Sequence, residues 1–471
     1  MLRPSGSAVQ RVRLIAQHLA RPPRLAASSA AASPLQPLLA RALSTSPQAA
    51  QSSQQNSSNS SSAPSAAWTF TTSAAFHGKP THRARRSGPH REDQGSDAAR
   101  QPHAVEQGFG PEHPMCRWRD EQLALGKAPK EVGAGHDWYF VEGIPASAGT
   151  SPAPRGTRGV AMGVADGVGG WEDSGVDPSH FAQALMWFAR ERVRTQGWSW
   201  PDAEAARNGD SLKALLDGAF EDVTRDKGVV AGSSTACLAA LDAETGMLYA
   251  ANLGDSGFLV LRPHPVDALP PTPPASPTTP EGEKDPSAPE APPEPTTTYA
   301  VVHAQEPQVH FFNAPRQLSK IPQAELDRAA GEGKGEGNWL VDRPGDADTV
   351  AVQLQDGDVV MLFTDGYSDN VWPQGETDRL LELVRARVDL SPSASTSRAT
   401  ADKELAASVA QTAVTFARML AVRPDVYTPF AAESKRWGVK GMERGGKVDD
   451  VTVLVAVVRR EAESAESAAA A

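Results

Sequence analysis

The chain has 471 residues, and its 39 glycines, 39 prolines and many Ser, Ala and Gln residues are concentrated in a few stretches. Those stretches cannot form a core, and the remaining roughly 290 residues suffice for one large core or two small ones. The net charge of −11 excludes nucleic acid as a main partner, because a polyanion would be repelled. The longest apolar run, Val451 to Val458, is far shorter than the ~20 residues that cross a bilayer, so no transmembrane segment is predicted.

Residues 1–45 contain arginines but no acid, and the first acidic residue of the chain is Glu92. A positively charged helix without acids is typical of a mitochondrial transit peptide, so we predict a mitochondrial matrix location, with cleavage between about Arg41 and Ser46. The alternative is a disordered Ala/Arg tail. One face of the predicted helix carries four apolar residues, Val9, Val12, Ile15 and Leu19.

Residues 46–129 are predicted to be a disordered, low-complexity linker, with order beginning near residue 130. The segment is rich in Ser, Asn and Gln and then turns basic between His77 and Arg91. The basic part is interpreted as a solvated linker, and a contact with a partner or a lipid surface is the alternative.

Predicted strands and helices follow in chain order. Two strands come first, then a helix that follows Asp177-Pro178 and a second helix that begins near Ser211. Three closely spaced strands come next and suggest an antiparallel meander. Cys237 lies in an apolar run and is predicted to be a small buried residue, and with Cys116 as the only other cysteine a disulfide framework is excluded. The five predicted strands are Asp137 to Val141, Gly159 to Ala165, Ser233 to Leu241, Met247 to Leu253 and Gly257 to Leu261.

A proline-rich insertion, residues 263–298, interrupts the domain. Thirteen of the 33 residues from Pro263 to Pro295 are proline, a density that excludes regular strands and helices. A docking site for a proline-recognising partner is a weaker alternative. Further strands (Tyr299 to His303, Asp358 to Phe363, Val451 to Val458) and helices (Glu376 to Arg387, Asp402 to Leu420) complete a domain over residues 130–460, before a disordered tail, 461–471. This order predicts an α+β fold with helices outside a two-sheet core.

Acidic residues recur at the ends of the predicted strands. Carboxylates at strand ends can converge on one rim of a sheet, and their repulsion is tolerated only if cations neutralise it. Oxygen ligands suit Mg²⁺ or Mn²⁺. A single Asp-Gly is more often a turn, so the prediction depends on the four sites together. They are Asp166-Gly167, Asp255, Asp365-Gly366 and Asp449-Asp450.

An ordered set of motifs over roughly residues 130–460 resembles the type 2C, metal-dependent protein phosphatases. Within them the chain is similar to the mitochondrial branch linked to coenzyme Q biosynthesis, because it carries the same Val-Gly-Gly-Trp and Phe-Asn-x-Pro elements. The resemblance implies a β-sandwich of two antiparallel sheets flanked by α-helices (four layers, αββα) with metals at one end. The motifs are Gly163 to Trp171, Gly175 to Ser179, Gly232 to Ala236, Asn252 to Ser256, Phe312 to Ser319, Thr364 to Asn370 and Asp449 to Thr452.

The resemblance also implies a role for each residue of the site. Asp166, Asp365 and Asp449 would be the catalytic ligands of two Mg²⁺ or Mn²⁺ ions, with a backbone carbonyl from Gly167. Asp137 would hold a metal-bound water, and Asp255 and Asp369, with Asp365, would form a weaker third position. Two ions roughly 3.5–4 Å apart would bridge a water that attacks phosphorus directly. The implied reaction is hydrolysis of phosphoserine and phosphothreonine in mitochondrial proteins.

Two departures from the family pattern concern the proton and the phosphate. Many relatives have histidine directly after Asp-Gly, where this chain has Val168, and many have an arginine near the stretch that is Val132 to Gly135 here. Arg316 is a candidate for binding the substrate phosphate, and the alternative is a solvated loop arginine. His136 is predicted to support the site or lie at the surface rather than bind metal. A phosphatase-like binding module without turnover and a hydrolase of small phosphoesters remain the alternative functions.

Overall fold

Two five-stranded antiparallel sheets form the centre of the fold. They are seen in a computed structural model that describes residues 67–80, 109–125, 133–145, 157–196, 210–265, 297–323, 326–327, 340–389 and 397–461. The strands are β1 (Trp68–His77), β2 (Asp137–Pro145), β3 (Thr157–Asp166), β4 (Gly232–Ser234), β5 (Ala236–Asp242), β6 (Met247–Leu253), β7 (Gly257–Pro265), β8 (Thr297–Ala304), β9 (Val309–Phe311), β10 (Ala314–Pro315), β11 (Leu318–Lys320), β12 (Asp348–Gln353), β13 (Val359–Phe363) and β14 (Val451–Arg460).

Sheet A has the strand order β1-β14-β13-β7-β8, and sheet B has the order β12-β6-β5-β3-β2. Two short pairs, β9 with β10 and β4 with β11, lie outside them. Helices cover the outer face of each sheet, α2 and α3 on sheet B and α5 and α6 on sheet A. None of the helices in the described ranges combines the length and apolar character that a bilayer span requires. The helices are α1 (Pro114–Leu125), α2 (Ser179–Gln196), α3 (Asp210–Arg225), α4 (Asp365–Ser368), α5 (Asp378–Asp389), α6 (Arg398–Ala421) and α7 (Pro429–Arg436).

Strand β14 shows why the four layers form. Its residues are apolar in both alternating sets, so each face of the strand can be buried. Leu454 and Val458 belong to the core between the two sheets, whereas Val453 and Val457 belong to the core between sheet A and its helices. The structure confirms the predicted fold class, and β14 is central, with β1 and β13 on either side.

The prediction that order begins near residue 130 is wrong. Strand β1 pairs with β14 along its whole length, from Trp68 opposite Arg460 to His77 opposite Val451. Helix α1 also precedes residue 130. Sequence reasoning missed the short β-prone run from Trp68 to Phe76 because the surrounding linker is rich in Ser and Gln. This run is ordered because it pairs with β14 at the edge of sheet A. The predicted transit peptide, the rest of the linker, residues 266–296 of the insertion and 462–471 of the tail lie outside the described residues.

The predicted three-strand meander is also wrong in its last strand. Strands β5 and β6 pair, but β7 pairs with β13 and β8 in the other sheet. The turn Gly254-Asp255-Ser256 therefore crosses from sheet B to sheet A instead of closing a hairpin. Sequence spacing cannot distinguish the two outcomes, since both use a short turn after an apolar strand. The insertion boundaries also move, because β7 runs to Pro265 and β8 begins at Thr297.

Phe76 tests whether β1 belongs to the core. Its ring is 4% exposed and lies 5.5 Å from the ring of Tyr139, centroid to centroid. We expect Phe76→Ala to lower the free energy of unfolding by about 3–5 kcal/mol, as measured by urea denaturation. Thr69→Ala, at an exposed position of the same strand, should change it by less than about 0.5 kcal/mol. If both substitutions changed the free energy of unfolding by the same small amount, β1 would not be part of the core.

Candidate active site

The predicted acidic residues meet at one end of the sandwich. Asp137 opens β2 and is the register partner of Asp166, which ends β3. Asp365 is the first residue of α4, two residues after the end of β13, and Asp449 lies two residues before β14, the strand that pairs with β13. The end of each strand thus places one carboxylate on the same rim. We call the set Asp137, Asp166, Asp255, Asp365, Asp369 and Asp449 the acidic cluster.

A lysine that the sequence analysis missed lies inside this cluster. The ammonium of Lys447 donates to Asp369 Oδ2 at 2.8 Å and to Asp365 Oδ2, and it lies 3.1 Å from Asp449 Oδ2. Asn370 holds its backbone from both sides, accepting from Lys447 N at 2.9 Å and donating to Lys447 O at 2.8 Å. Three carboxylates from two separate segments of the chain therefore share one cation.

The pKa values show how crowded the negative charge is. Burial, followed by repulsion from neighbouring carboxylates, raises the pKa of Asp137 and Asp166 well above their ordinary range. Burial likewise raises the pKa of Asp369 to about 7, although Lys447 opposes the shift. Burial alone would raise the pKa of Asp449, but the ammonium groups of Lys447 and Lys79 outweigh it and lower that pKa to about 2. The cluster holds more negative charge than its lysines neutralise.

Hydroxyl groups and close backbone contacts fix these carboxylates. Thr364 Oγ1 donates to Asp137 Oδ2 at 2.7 Å, and Thr235 Oγ1 accepts from the backbone N–H of Asp166 at 3.0 Å. A Cβ at Gly366 would lie 1.9 Å from the carbonyl oxygen of Asp450, so only glycine permits this approach of α4 to the start of β14. The Asp-Gly pairs are thus packing requirements as well as carboxylate sites.

Strand β1 brings a second lysine to the cluster. Lys79 Nζ lies 2.9 Å from Asp449 Oδ1 and 3.4 Å from Asp450 Oδ2, and the Lys79 backbone N–H donates to Asp450 Oδ1 at 2.6 Å. Burial disfavours the charged ammonium, but the two carboxylates raise the Lys79 pKa above its ordinary value. Sequence reasoning missed Lys79 because it assigned the segment to a linker; the β-prone run before it was the available signal.

The oxygen atoms of the cluster suit divalent cations. Three carboxylate oxygens are buried without a hydrogen-bond partner: Asp137 Oδ1, Asp255 Oδ1 and Asp365 Oδ1. Hard oxygen donors in excess of the available positive charge are what Mg²⁺ and Mn²⁺ require. As they stand, the described side chains form no ready group of three or more His, Cys, Asp or Glu around one ion position. The ammonium of Lys447 instead lies between three of the carboxylates.

The remaining predicted residues lie close to the cluster. The N–H of Gly167 donates to the carbonyl of His136 at 3.2 Å, and a Cβ at Gly167 would lie 2.4 Å from Pro178 O. His136 is mostly buried, with Nε2 3.1 Å from Glu172 Oε1 and Nδ1 3.8 Å from Asp450 Oδ2. Arg316 lies between β10 and β11, with its carbonyl beside Gly254. The metal-ligand and phosphate-binding roles of all these residues stay predictions.

Comparison with curated proteins shows the family. The chain is 33% identical over 300 residues to the protein phosphatase PTC7 homolog of Xenopus laevis, covering 63% of this chain and 76% of that protein. It is 33% identical over 300 residues to the Homo sapiens homolog (63% and 74%), and 29% identical over 344 residues to the homolog fig of Drosophila willistoni (73% and 84%). This chain belongs to the type 2C family of protein phosphatases. It is therefore an enzyme that acts on phosphoserine and phosphothreonine in proteins, as the motifs predicted.

Solved structures of type 2C phosphatases align with this phosphatase at low similarity. The photosystem II phosphatase PBCP has a TM-score of 0.42 and 20% identity, covering 72% of this chain and 94% of that one. The catalytic domain of PstP, described as a complex with two manganese ions, has a TM-score of 0.30 and 14% identity, covering 69% and 98%. A scan against profiles of known families found no match.

The raised pKa values predict an unusual pH dependence for the metal-free phosphatase. Asp369 has a folded-state pKa of about 7 against an ordinary 3.8, so the folded state binds more protons than the unfolded state between these values. Stability in chelator should therefore rise as the pH falls from about 8 to about 6.5. Below that range the lowered pKa values of His77 and His303, caused by burial, oppose the trend.

The measurement is the thermal unfolding midpoint in EDTA at a series of pH values. Asp369→Asn should reduce the slope of the midpoint against pH, since it removes one carboxyl group whose pKa is raised. With saturating Mn²⁺ the slope should reverse, because protons compete with the ion for carboxylates. A midpoint in EDTA that falls on acidification from pH about 8 to about 6.5 would contradict the charge crowding.

Proposed function

We propose that this phosphatase hydrolyses phosphoserine and phosphothreonine in mitochondrial proteins with the help of at least two divalent ions, Mg²⁺ or Mn²⁺. The observation that supports the metals is the set of buried carboxylate oxygens without partners, in a cluster where burial and mutual repulsion raise most of the pKa values. Asp166, Asp365 and Asp449 would hold the two ions, with the carbonyl of Gly167. Asp255 and Asp369 would contribute to a weaker third position.

Ions bound there would lower the pKa of water and neutralise the phosphoryl oxygens, as in other two-metal hydrolases. The protein itself supplies orientation and charge. Thr364 holds Asp137 through a 2.7 Å hydrogen bond, and Thr235, which contacts Ser256 at 2.8 Å, holds the strand end that carries Asp166. Lys79, whose side chain is 31% exposed, keeps a positive charge at the edge of the cluster, and such a charge attracts an anionic substrate.

No cysteine is placed to act as a nucleophile. Cys237 is fully buried in β5 and Cys116 is buried in α1, and burial raises the pKa of the Cys237 thiol above its ordinary range. A thiolate is the reactive form, so a protonated, enclosed thiol cannot start a covalent mechanism. This supports direct attack of water on phosphorus, without a covalent enzyme intermediate.

Turnover with defined metals tests the proposal. After chelation and dialysis, hydrolysis of p-nitrophenyl phosphate and of phosphoserine peptides should fall to background, and Mn²⁺ or Mg²⁺ should restore it. Comparing phosphopeptides with sugar phosphates under the same conditions separates a protein phosphatase from a hydrolase of small phosphoesters. Mn²⁺ binding by calorimetry without turnover on any phosphopeptide would instead favour a phosphatase-like binding module.

The location is proposed from residues 1–45 alone, which lie outside the described residues. Residues 1–46 fused to a fluorescent reporter should direct it to mitochondria; a diffuse cytosolic signal would contradict the location and leave the chemistry untouched. The link to coenzyme Q biosynthesis is proposed from the motif resemblance. Phosphoproteomics of mitochondria with and without the active protein would identify the substrates.

A further inference from the structure

A cavity of about 220 Å³ lies beside the acidic cluster. Its wall includes the carboxylates of Asp255 and Asp369, which belong to the cluster, and it reaches the surface at the exposed residues Ala304 and Glu306. Most of the remaining wall is apolar and aromatic. The apolar side chains include Leu259, Phe312, Phe363, Trp372 and Phe430.

The aromatic wall is held in place by direct contacts. The rings of Phe312 and Phe430 lie 5.1 Å apart, and the backbone N–H of Phe430 donates to the carbonyl of Asp369 at 2.9 Å. Trp372 donates from its indole N–H to the Tyr427 carbonyl at 3.0 Å. The cavity is therefore formed before any ligand arrives, which lowers the entropic cost of binding.

The Phe-Asn-x-Pro motif forms one edge of this cavity. Asn313 has a φ of 54°, and within the described ranges it is the one residue other than glycine with a positive φ. Such a conformation costs free energy and persists where the surroundings impose it, often at ligand sites. The strained residue directly follows Phe312, whose ring forms part of the wall. The motif therefore lines the cavity, a role that is separate from the acidic cluster.

The cavity and the reaction site are separated by about one side chain. Lys447 Nζ lies 5.7 Å from the centroid of the Phe430 ring while it donates to Asp369 at 2.8 Å. An extended peptide advances about 3.3–3.6 Å per residue. A residue one to three positions from a phosphoserine at the cluster would therefore reach the cavity.

We propose that this cavity binds a large apolar side chain of the phosphoprotein substrate, within about three residues of the phosphorylated one. The inference rests on the proposed function and adds the substrate class. Besides the proposed ion ligands Asp255 and Asp369, two acidic side chains line the cavity, Glu306 and Glu433. Their negative charge repels an acidic substrate residue and favours basic flanking residues.

Phosphopeptides with a single movable leucine test the inference on the unmodified protein. Each peptide carries one phosphoserine, basic flanks and alanines, with leucine, alanine or aspartate at positions −3 to +3. Burying a leucine side chain removes more apolar surface from water than burying an alanine, so kcat/KM at the favoured position should be about 10-fold or more above that for alanine. Aspartate at that position should lower it further. If kcat/KM is independent of the leucine at every position, the inference is overturned.

Two substitutions that fill the cavity provide the structural control. Ala304→Trp and Gln305→Trp each add an indole at the cavity wall, whereas Val302→Trp adds one to an exposed position of the same strand, outside the lining residues. The preference for leucine over alanine should disappear in either filled variant and persist in Val302→Trp. A preference that persists in both filled variants would place the subsite elsewhere.

Hydrolysis of p-nitrophenyl phosphate separates this inference from the proposed function. That substrate has no peptide flank, so it reports the metal site and the folding of each variant. Turnover of p-nitrophenyl phosphate without any leucine preference rejects the cavity and keeps the phosphatase chemistry. Absence of turnover on every substrate in the metal-loaded, unmodified protein rejects the proposed function itself.

Discussion

Asp365→Asn should reduce phosphopeptide turnover by about 100-fold or more. Asp365 is 5% exposed, touches Lys447, and repels Asp449 and Asp166, so it stands at the centre of the proposed ion positions. Amides bind Mg²⁺ and Mn²⁺ more weakly than carboxylates, and losses of 10- to 100-fold are typical even for groups that only support a metal ligand. The size and shape of the side chain stay the same, so the folded state should persist.

Steady-state kinetics with saturating Mn²⁺, and Mn²⁺ affinity by calorimetry, measure the effect. Asp356→Asn is the matched control, because Asp356 is an exposed aspartate that contacts Arg398 and Arg460, outside the cluster. It should keep turnover within about twofold. Undiminished turnover of Asp365→Asn would refute the assignment of that residue and, with it, the shared ion site.

Lys447→Met should destabilise the metal-free phosphatase and tighten its binding of Mn²⁺. The ammonium is largely buried and contacts three carboxylates, which raise its pKa well above the ordinary value despite the opposing effect of burial. Removing one partner of a buried ion pair typically costs about 3–5 kcal/mol, because the other charge is left uncompensated. Added Mn²⁺ should recover that loss, and its affinity should rise by about 10-fold, since no ammonium competes for the same oxygens.

Chemical unfolding in EDTA and calorimetric titration with Mn²⁺ are the two measurements. Lys440→Met provides the control, as Lys440 is an exposed lysine on the same segment. It should change stability by less than about 0.5 kcal/mol and leave Mn²⁺ affinity unchanged. If Lys447→Met were as stable in EDTA as the unmodified protein, Lys447 would not be the internal counter-ion of the cluster.

The acidic residues could be predicted because the residues next to them in the sequence form recognisable apolar strands. Asp166, Asp365 and Asp449 each border an apolar strand, and the ends of antiparallel strands that share a rim bring such residues together. The continuous apolar run of β14 likewise accounts for its central position. In both cases the signal is short-range periodicity, which depends only on residues a few positions apart.

The lysines and the crossing between sheets could not be predicted in this way. Lys79 reaches Asp449 across 370 residues, and Lys447 reaches Asp365 across 82, so both contacts depend on how distant segments pack. The turn at Asp255 has the same sequence character whether β7 joins sheet B or sheet A. Whether the turn leads to sheet B or to sheet A depends on which sheet can pair with β7 and bury it. That is decided only when the core is assembled.

Motif order and strand periodicity were therefore enough to place this chain among the type 2C phosphatases and to name its carboxylates, since those signals lie within single strands and turns. Only the tertiary structure shows which cations face those carboxylates. It also shows that Phe312 and Asn313 border a cavity next to Asp369. Charge balance and cavity shape are sums over residues far apart in the chain, and those residues become neighbours only when the two sheets pack together.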